Sequence, residues 1–204
     1  DISAEEVINE YSEQTLKLII KILGEEKEAS RIVKNIIKAR SIKKITNVDQ
    51  LVDIIEKSKK KDYKKKINPS TKTFQALRIF VNKEITELIN GMIQATKILK
   101  PGGKILIVSF HSIEDKVVKF FFSNFSVNRS KPSRYFPENQ ENNIFLFEAY
   151  KNKILKPSIE EINQNPPSRS AKFRYAIRSK NKFAFPEELI VKFKKYLDLE
   201  ILHA

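Results

Sequence analysis

The 204-residue chain has no cysteine, no tryptophan, one methionine, two histidines and four glycines. Without cysteine, disulfides and thiolate metal sites are excluded. With only His111 and His203 available, a histidine-based zinc centre is not expected, and no metal ligand set is assigned. The glycines stand at 24, 91, 102 and 103. They cannot be written as a G-x-G-x-x-G fingerprint, as a P-loop or as a G-x-S-x-G elbow. No apolar run reaches the roughly 18 residues of a membrane helix, so no membrane partner is expected. The acidic, polar first ten residues do not read as a signal peptide. The only methionine is Met92 and the chain starts at Asp1. The natural start is therefore expected to lie elsewhere, the chain being a fragment or a processed product.

Lys and Arg number 39 against 25 Asp and Glu, giving a formal net charge of +14. Such a surplus suits a polyanionic partner, nucleic acid or an anionic surface. A lysine-rich solvated surface produces the same figure. Hydrophobic content of 41% and charged content of 31% are ordinary for a globular chain. The length fits one domain or two small ones.

Residues 1 to 58 read as short amphipathic helices. Ser3 with Glu6 forms a capping box before AEEVINEY. Ser12 precedes EQTLKLIIKIL, and Gly24 is read as its stop. A third helix near 26 to 40 places Ala29, Ile32, Val33, Ile36 and Ile37 on one face and Arg31, Lys34, Lys38 and Arg40 on the other. Thr46 or Asn47 caps VDQLVDIIEK. The run KSKKKDYKKK, 57 to 66, is a solvated linker or a phosphate-contacting arm. After Asn68-Pro69, Ser70 or Thr71 caps one long helix over roughly 72 to 98. Lys100-Pro101-Gly102-Gly103 then turns the chain. KILIVSF is continuously apolar and reads as a buried, parallel strand rather than an edge. Ser112 is expected to cap the helix IEDKVVKFFFSNF, with Asp115 in the capping-box region. Residues 126 to 142 are a polar loop, NIFLFEAY a strand and KPSIEEINQ a turn with a short helix. SAKFRYAIRS alternates as a strand with one covered face, able to close the sheet antiparallel. PEELIVKFKKYLDLEIL is an amphipathic helix. The order helix, strand, helix argues α/β.

The chemistry-bearing residues gather where KILIVSF ends. Ligands of open α/β sheets bind outside the carboxyl ends of strands. Ser109, Phe110, His111 and Ser112 lie there. A histidine titrates near neutral pH and can donate or accept. Phe110 either packs in the core or stacks on a base. A capped helix start with a hydrogen-bonded histidine explains the same residues, and Glu114 and Asp115 read as helix-start acids. Asn165-Pro166-Pro167-Ser168 is similar to the Asn-Pro-Pro-aromatic loop of amino-group methyltransferases, but its fourth residue is Ser, and it reads as a turn. Arg169, Lys172 and Arg174 follow it, placed for phosphate or for the surface.

Three blocks, NPSTKTFQALRIFVNKEITEL, LKPGGKILIVSFHSIEDKVVKFFF and NPPSRSAKFRYAIRS, resemble successive signatures of the small-subunit ribosomal RNA cytosine-N4 methyltransferases (RsmH, or MraW). GEEKEASRIVKNIIKAR is similar to that family's helical insertion. The resemblance implies the C-terminal part of a class I, Rossmann-like methyltransferase sheet preceded by an α-helical inserted subdomain. Residues 1 to 66 would be insertion and basic linker, 67 to 182 the C-terminal half of the methyltransferase domain, and 183 to 204 a terminal amphipathic helix. It implies S-adenosyl-L-methionine as cofactor and a bacterial, cytoplasmic enzyme that methylates a decoding-region cytidine of small-subunit ribosomal RNA. The glycine-rich cofactor loop would lie in a preceding half, so the chain alone is expected to be inactive and to bind that cofactor weakly. By resemblance, Asn68, Thr71, Thr73, Gln75 and Arg78 fall on the substrate side. Phe110 and Ser112 line the pocket, and Ser109 and His111 are candidate catalytic groups. Arg169, Lys172 and Arg174 would hold RNA. The reading set against this is a non-catalytic, basic RNA-binding module.

Overall fold

The computed structural model describes residues 2–59, 68–127 and 145–202. Most of the charge run at 57–66 and of the polar loop at 126–142 lies outside them. The described chain is α/β, with helices and a two-stranded sheet. It divides into two compact units, residues 1–86 with 195–204, and residues 87–194.

The first unit is helical: α1 (Ala4–Glu10), α2 (Glu13–Ile22), α3 (Ala29–Arg40), α4 (Val48–Ser58) and α5 (Thr71–Asn82). Local chemistry starts each of the first two and the fourth. Ser3 and Glu6 close a reciprocal capping box, Ser12 accepts from the Thr15 amide, and Asn47 accepts from that of Gln50. Arg40 closes the end of α1, donating to the Ile8 and Tyr11 carbonyls at 2.7 and 2.6 Å. Leu16, Ile19, Ile20, Ile32, Val33, Ile36, Ile55, Ala76 and Phe80 are buried. Tyr11 meets Phe80 edge-on at 5.6 Å. Gly24 does more than stop α2. A Cβ there would stand 2.5 Å from the Lys72 carbonyl oxygen, so the glycine lets α5 approach.

The long helix expected over 72 to 98 is two helices, α5 and α6 (Glu84–Ile98). Lys83 breaks it, in the left-handed region at φ 50°. Apolar periodicity runs through the break because both helices bury a face. Glu200 marks the same junction. It comes from α9 (Glu187–Ile201) and is fully buried. It accepts from the Ile85 and Thr86 amides at 3.0 and 2.8 Å and from the Thr86 hydroxyl at 2.6 Å. A carboxylate 115 residues away thus caps the start of α6. Burial, with the Glu84 charge nearby, pushes the Glu200 carboxyl up despite those three hydrogen bonds.

The second unit holds β1 (Lys104–Ser109), α7 (Ser112–Asn124), α8 (Ile159–Gln164), a 3-10 turn (Pro166–Ser170) and β2 (Lys172–Ile177). β1 pairs antiparallel with β2, from Lys104 opposite Ile177 to Ser109 opposite Lys172. This is the antiparallel closure expected of SAKFRYAIRS, whereas the expected burial of β1 is corrected, and no parallel neighbour of β1 lies among the described residues. Leu106 and Val108 are 58% and 49% exposed, and only the alternate face is covered. The NIFLFEAY strand is also corrected. Its described part makes isolated bridges from Phe147 to Ser126 and Arg178. The amides of Leu146 and Phe147 both turn onto the Phe125 carbonyl. Its apolar residues serve the core instead, with Phe147 edge-on to Phe121 and Phe122 at 5.2 Å each. Arg178 is buried and donates to the carbonyls of Thr96, Leu146, Ser179 and Asn181. It thereby stitches the end of β2 to α6 and to the segment at 146.

Candidate functional site

The tip between β1 and α7 is built by a histidine cap. His111, not Ser112, is the N-cap: its Nδ1 accepts from the Glu114 amide at 3.4 Å. Glu114 reaches back, its Oε2 accepting from the Phe110 and His111 amides at 2.8 and 3.1 Å. The capping box therefore closes on Glu114 rather than Asp115. With Nδ1 accepting, neutral His111 carries its proton on Nε2, 3.5 Å from Glu114 Oε1. Ser109 is buried, its hydroxyl donating to the Lys172 carbonyl at 3.3 Å. Phe110 is 52% exposed and stands outside the core.

Asp115, one residue past the box, ties this tip to β2. Its Oδ1 accepts from Arg174 Nε at 2.7 Å and its Oδ2 from Lys172 Nζ at 3.0 Å. Arg174 Nη1 continues to the Tyr150 hydroxyl at 3.0 Å and to Asn152 Oδ1 at 2.9 Å. Burial pushes the Asp115 carboxyl up, but the Arg174 and Lys172 hydrogen bonds and charges outweigh it and hold the pKa below the ordinary value.

The basic trio after the Asn-Pro-Pro turn therefore splits. Arg174 is 2% exposed and enclosed by protein partners, which corrects its expected place on an RNA backbone. Lys172 is half-buried and paired. Arg169 stays exposed, donating to the Pro166 carbonyl at 3.2 Å. Tyr150 and Asn152 carry no sequence mark as partners of Arg174, because both lie in an irregular segment. The Asn-Pro-Pro-Ser stretch is a turn, with the Ser168 amide donating to the Asn165 carbonyl.

The other expected substrate-side residues belong to the first unit. Asn68 Oδ1 accepts from the Ser70 amide at 2.8 Å and from its hydroxyl, fixing the entry to α5. Ser70 holds the N-cap position of that helix without a side-chain cap bond. Thr71 is exposed, whereas Thr73 is fully buried, its hydroxyl without a partner among the described residues. Gln75 donates to the Leu23 carbonyl at 3.4 Å. Arg78 is exposed and forks onto Glu84, Nε to Oε1 at 2.7 Å and Nη2 to Oε2 at 3.1 Å. Thr73 and Gln75 thus face their own unit, and Thr71 and Arg78 face solvent.

None of the four glycines cradles a cofactor. Gly24 serves helix packing and Gly91 lies within α6. Gly102 (φ 79°) and Gly103 form the turn before β1, where a Cβ on Gly103 would meet Leu99 at 2.7 Å. The described residues therefore do not fit S-adenosylmethionine by themselves. Among them, no helix is long and apolar enough to cross a membrane.

The MraW methylase family matches residues 1–179. Ribosomal RNA small subunit methyltransferase H of Bartonella quintana (strain Toulouse) is 43% identical over 177 residues, 87% of this chain and 53% of that protein. The methyltransferase H of Bartonella henselae is 40% identical over 185 residues, covering 91% of this chain and 53% of that protein. That of Brucella ovis is 40% identical over 179 residues, covering 88% and 51%. The chain spans about half the length of the curated relatives it matches. The match takes in residues of both compact units, the β1–α7 tip and the β2 cations, and on that ground the chain belongs to the MraW methylase family.

Proposed function

We propose that these residues form the RNA-side part of a small-subunit ribosomal RNA methyltransferase, acting on N4 of a decoding-region cytidine. The β1–α7 tip carries the reading, because it holds an exposed aromatic ring on a strand end tied by the Glu114 box and by Asp115 to β2, within a chain matched to relatives of that name. Residues 1 to 66 serve as the helical insertion and basic linker, and 67 to 182 as the C-terminal half of a class I sheet. Residues 183 to 204 form a terminal helix. The enzyme works in the bacterial cytoplasm, where its ribosomal substrate is. S-adenosylmethionine is the donor the family implies, and residues outside these 204 hold it.

The chemistry assigns the chain's share. Cytosine N4 is a weak nucleophile because its lone pair is delocalised into the ring. Rate then comes from positioning the base and from preorganised acceptors for its N–H. The base must also leave its stack to be reached. Phe110 offers a face on which an unstacked base can lie. Ser109 and His111 are positioning residues, holding Phe110 through the Lys172 carbonyl and the Glu114 box. Thr71, Arg78 and Arg169 are the exposed candidates for substrate or phosphate contact, and Ser112 opens the helix beside the tip.

The test links this chain to the part of the Bartonella quintana relative that lies outside the match, in that relative's order. The linked protein is expected to bind S-adenosylmethionine and to transfer methyl groups to small ribosomal subunits. This chain alone is expected to do neither. Failure of the linked, folded protein to methylate, where the intact relative does, would refute the reading.

A further inference from the structure

Three helix ends of the first unit meet on one carboxylate. Glu26 lies in the turn between α2 and α3 and is 5% exposed. Its Oε1 accepts from the Glu28 amide at 3.0 Å, at the N-cap of α3. Its Oε2 accepts from Lys59 Nζ at 2.5 Å, and Lys59 is the C-cap residue of α4. The same ammonium donates to the Pro69 carbonyl, two residues before α5 begins at Thr71. The turn is held to α5 twice more. Lys72 Nζ donates to the Glu25 carbonyl at 2.9 Å, and Gln75 to that of Leu23 at 3.4 Å. Glu25 itself takes the left-handed region at φ 47°. Backbone held there by a residue other than glycine persists only where its surroundings over-determine it.

Burial pushes the Glu26 carboxyl up, but the Lys59 hydrogen bond and charge and the Glu28 amide outweigh it and hold the pKa below the ordinary value. The pair is therefore ionised. An ion pair this buried adds little stability over apolar side chains of similar volume. What it supplies here is direction, because it fixes where the chain enters α5. We propose that Glu26 is a positioning residue for RNA: acting through Lys59, it sets the Asn68–Thr71 entry of α5 and so the place of Thr71 on the substrate side. Asn68, whose Oδ1 holds the Ser70 amide, passes the constraint into the helix. The inference rests on the RNA-side reading for what Thr71 meets, whereas the tie itself does not.

The sign of the effect separates this role from bulk charge. Glu26→Gln removes an acid, and on charge alone it should tighten RNA binding and lower KM. Positioning predicts the reverse: in the linked protein, KM for small ribosomal subunits rises at least threefold with kcat within twofold. Lys59→Met should do the same, whereas Lys59→Arg, which keeps donors for both acceptors, should bring KM back to within twofold. Lys44→Met opens the exposed 3.3 Å pair with Glu5 and controls for the loss of one cation, with KM within twofold. The double variant Glu26→Gln/Lys59→Met removes the stranded charge, so its melting temperature should recover from that of Lys59→Met while KM stays raised. Amide hydrogen exchange in the chain alone reads the tie without catalysis. Residues 68–74 should exchange at least tenfold faster in Glu26→Gln and in Lys59→Met, with α1 unchanged. A lowered or unchanged KM in Glu26→Gln would overturn the proposal. So would an equal rise in Lys44→Met, a KM that recovers with the melting temperature in the double variant, or unchanged exchange at 68–74. Faster exchange there, beside a linked protein that is folded but does not methylate, supports the tie and refutes the functional reading.

Discussion

Asp115 accepts from two cations at once, and one of them is the buried Arg174. Removing the buried partner leaves Asp115 with only the half-buried Lys172, and breaking a buried pair costs up to about 3–5 kcal/mol. Arg174→Met is therefore expected to lower the unfolding free energy by that amount in urea titrations. Arg78→Ala, which opens the exposed pair with Glu84, is expected to cost at most about 1 kcal/mol. Equal losses in the two variants would contradict the assignment of Arg174 to the interior. The pH dependence follows the lowered Asp115 pKa. The folded state binds that proton more weakly than the unfolded chain does. The stabilisation is complete above the ordinary aspartate value and is lost as pH falls through the lowered one.

At the scale of the element, the start of α7 decides how the tip is read. A cap contributes about 1 kcal/mol. His111→Ala should cost about that much, whereas His111→Asn, which restores a capping oxygen, should recover most of it. If His111 acts by positioning, His111→Asn also keeps methyl-transfer turnover in the linked protein within about tenfold. A loss of about a hundredfold or more with stability intact would instead mark general acid–base work. The helices of the first unit were legible because caps and apolar spacing are local signals: Ser3 and Ser12 cap where the sequence places them, and Asn47 is the one of two candidates that caps α4. The break at Lys83 was not, since a left-handed lysine has no sequence mark and its cap comes from Glu200. The sense of β1 depends on its partner strand, and apolar content alone cannot supply it. In the site, the strand-end cluster was visible as residue types. The division of Arg169, Lys172 and Arg174 between solvent and interior was not, because it depends on Tyr150, Asn152 and the register of β2.

At the scale of the whole molecule, Glu200 shows that the C-terminal helix is part of the fold, although it lies beyond the family match at 1–179. Its carboxyl is raised by burial, so the folded state binds that proton more tightly than the unfolded chain does. The contribution of this group is full below the ordinary glutamate value and declines as pH rises through the raised one. Glu200→Gln should therefore flatten the stability profile over that weakly acidic range. Thermal melts across it check this, and an unchanged slope would contradict the assignment. The exposed face of the β1–β2 ribbon and the match to about half the length of the relatives are what the proposal of an RNA-side part rests on.

The most direct test of that account is nucleoside analysis of small-subunit ribosomal RNA after incubation with the linked protein and S-adenosylmethionine. The account predicts N4-methylcytidine at a single decoding-region position, formed by the linked protein and not by this chain alone. Methylation at another atom or base, or none by a linked protein that is folded and binds the donor, would contradict it.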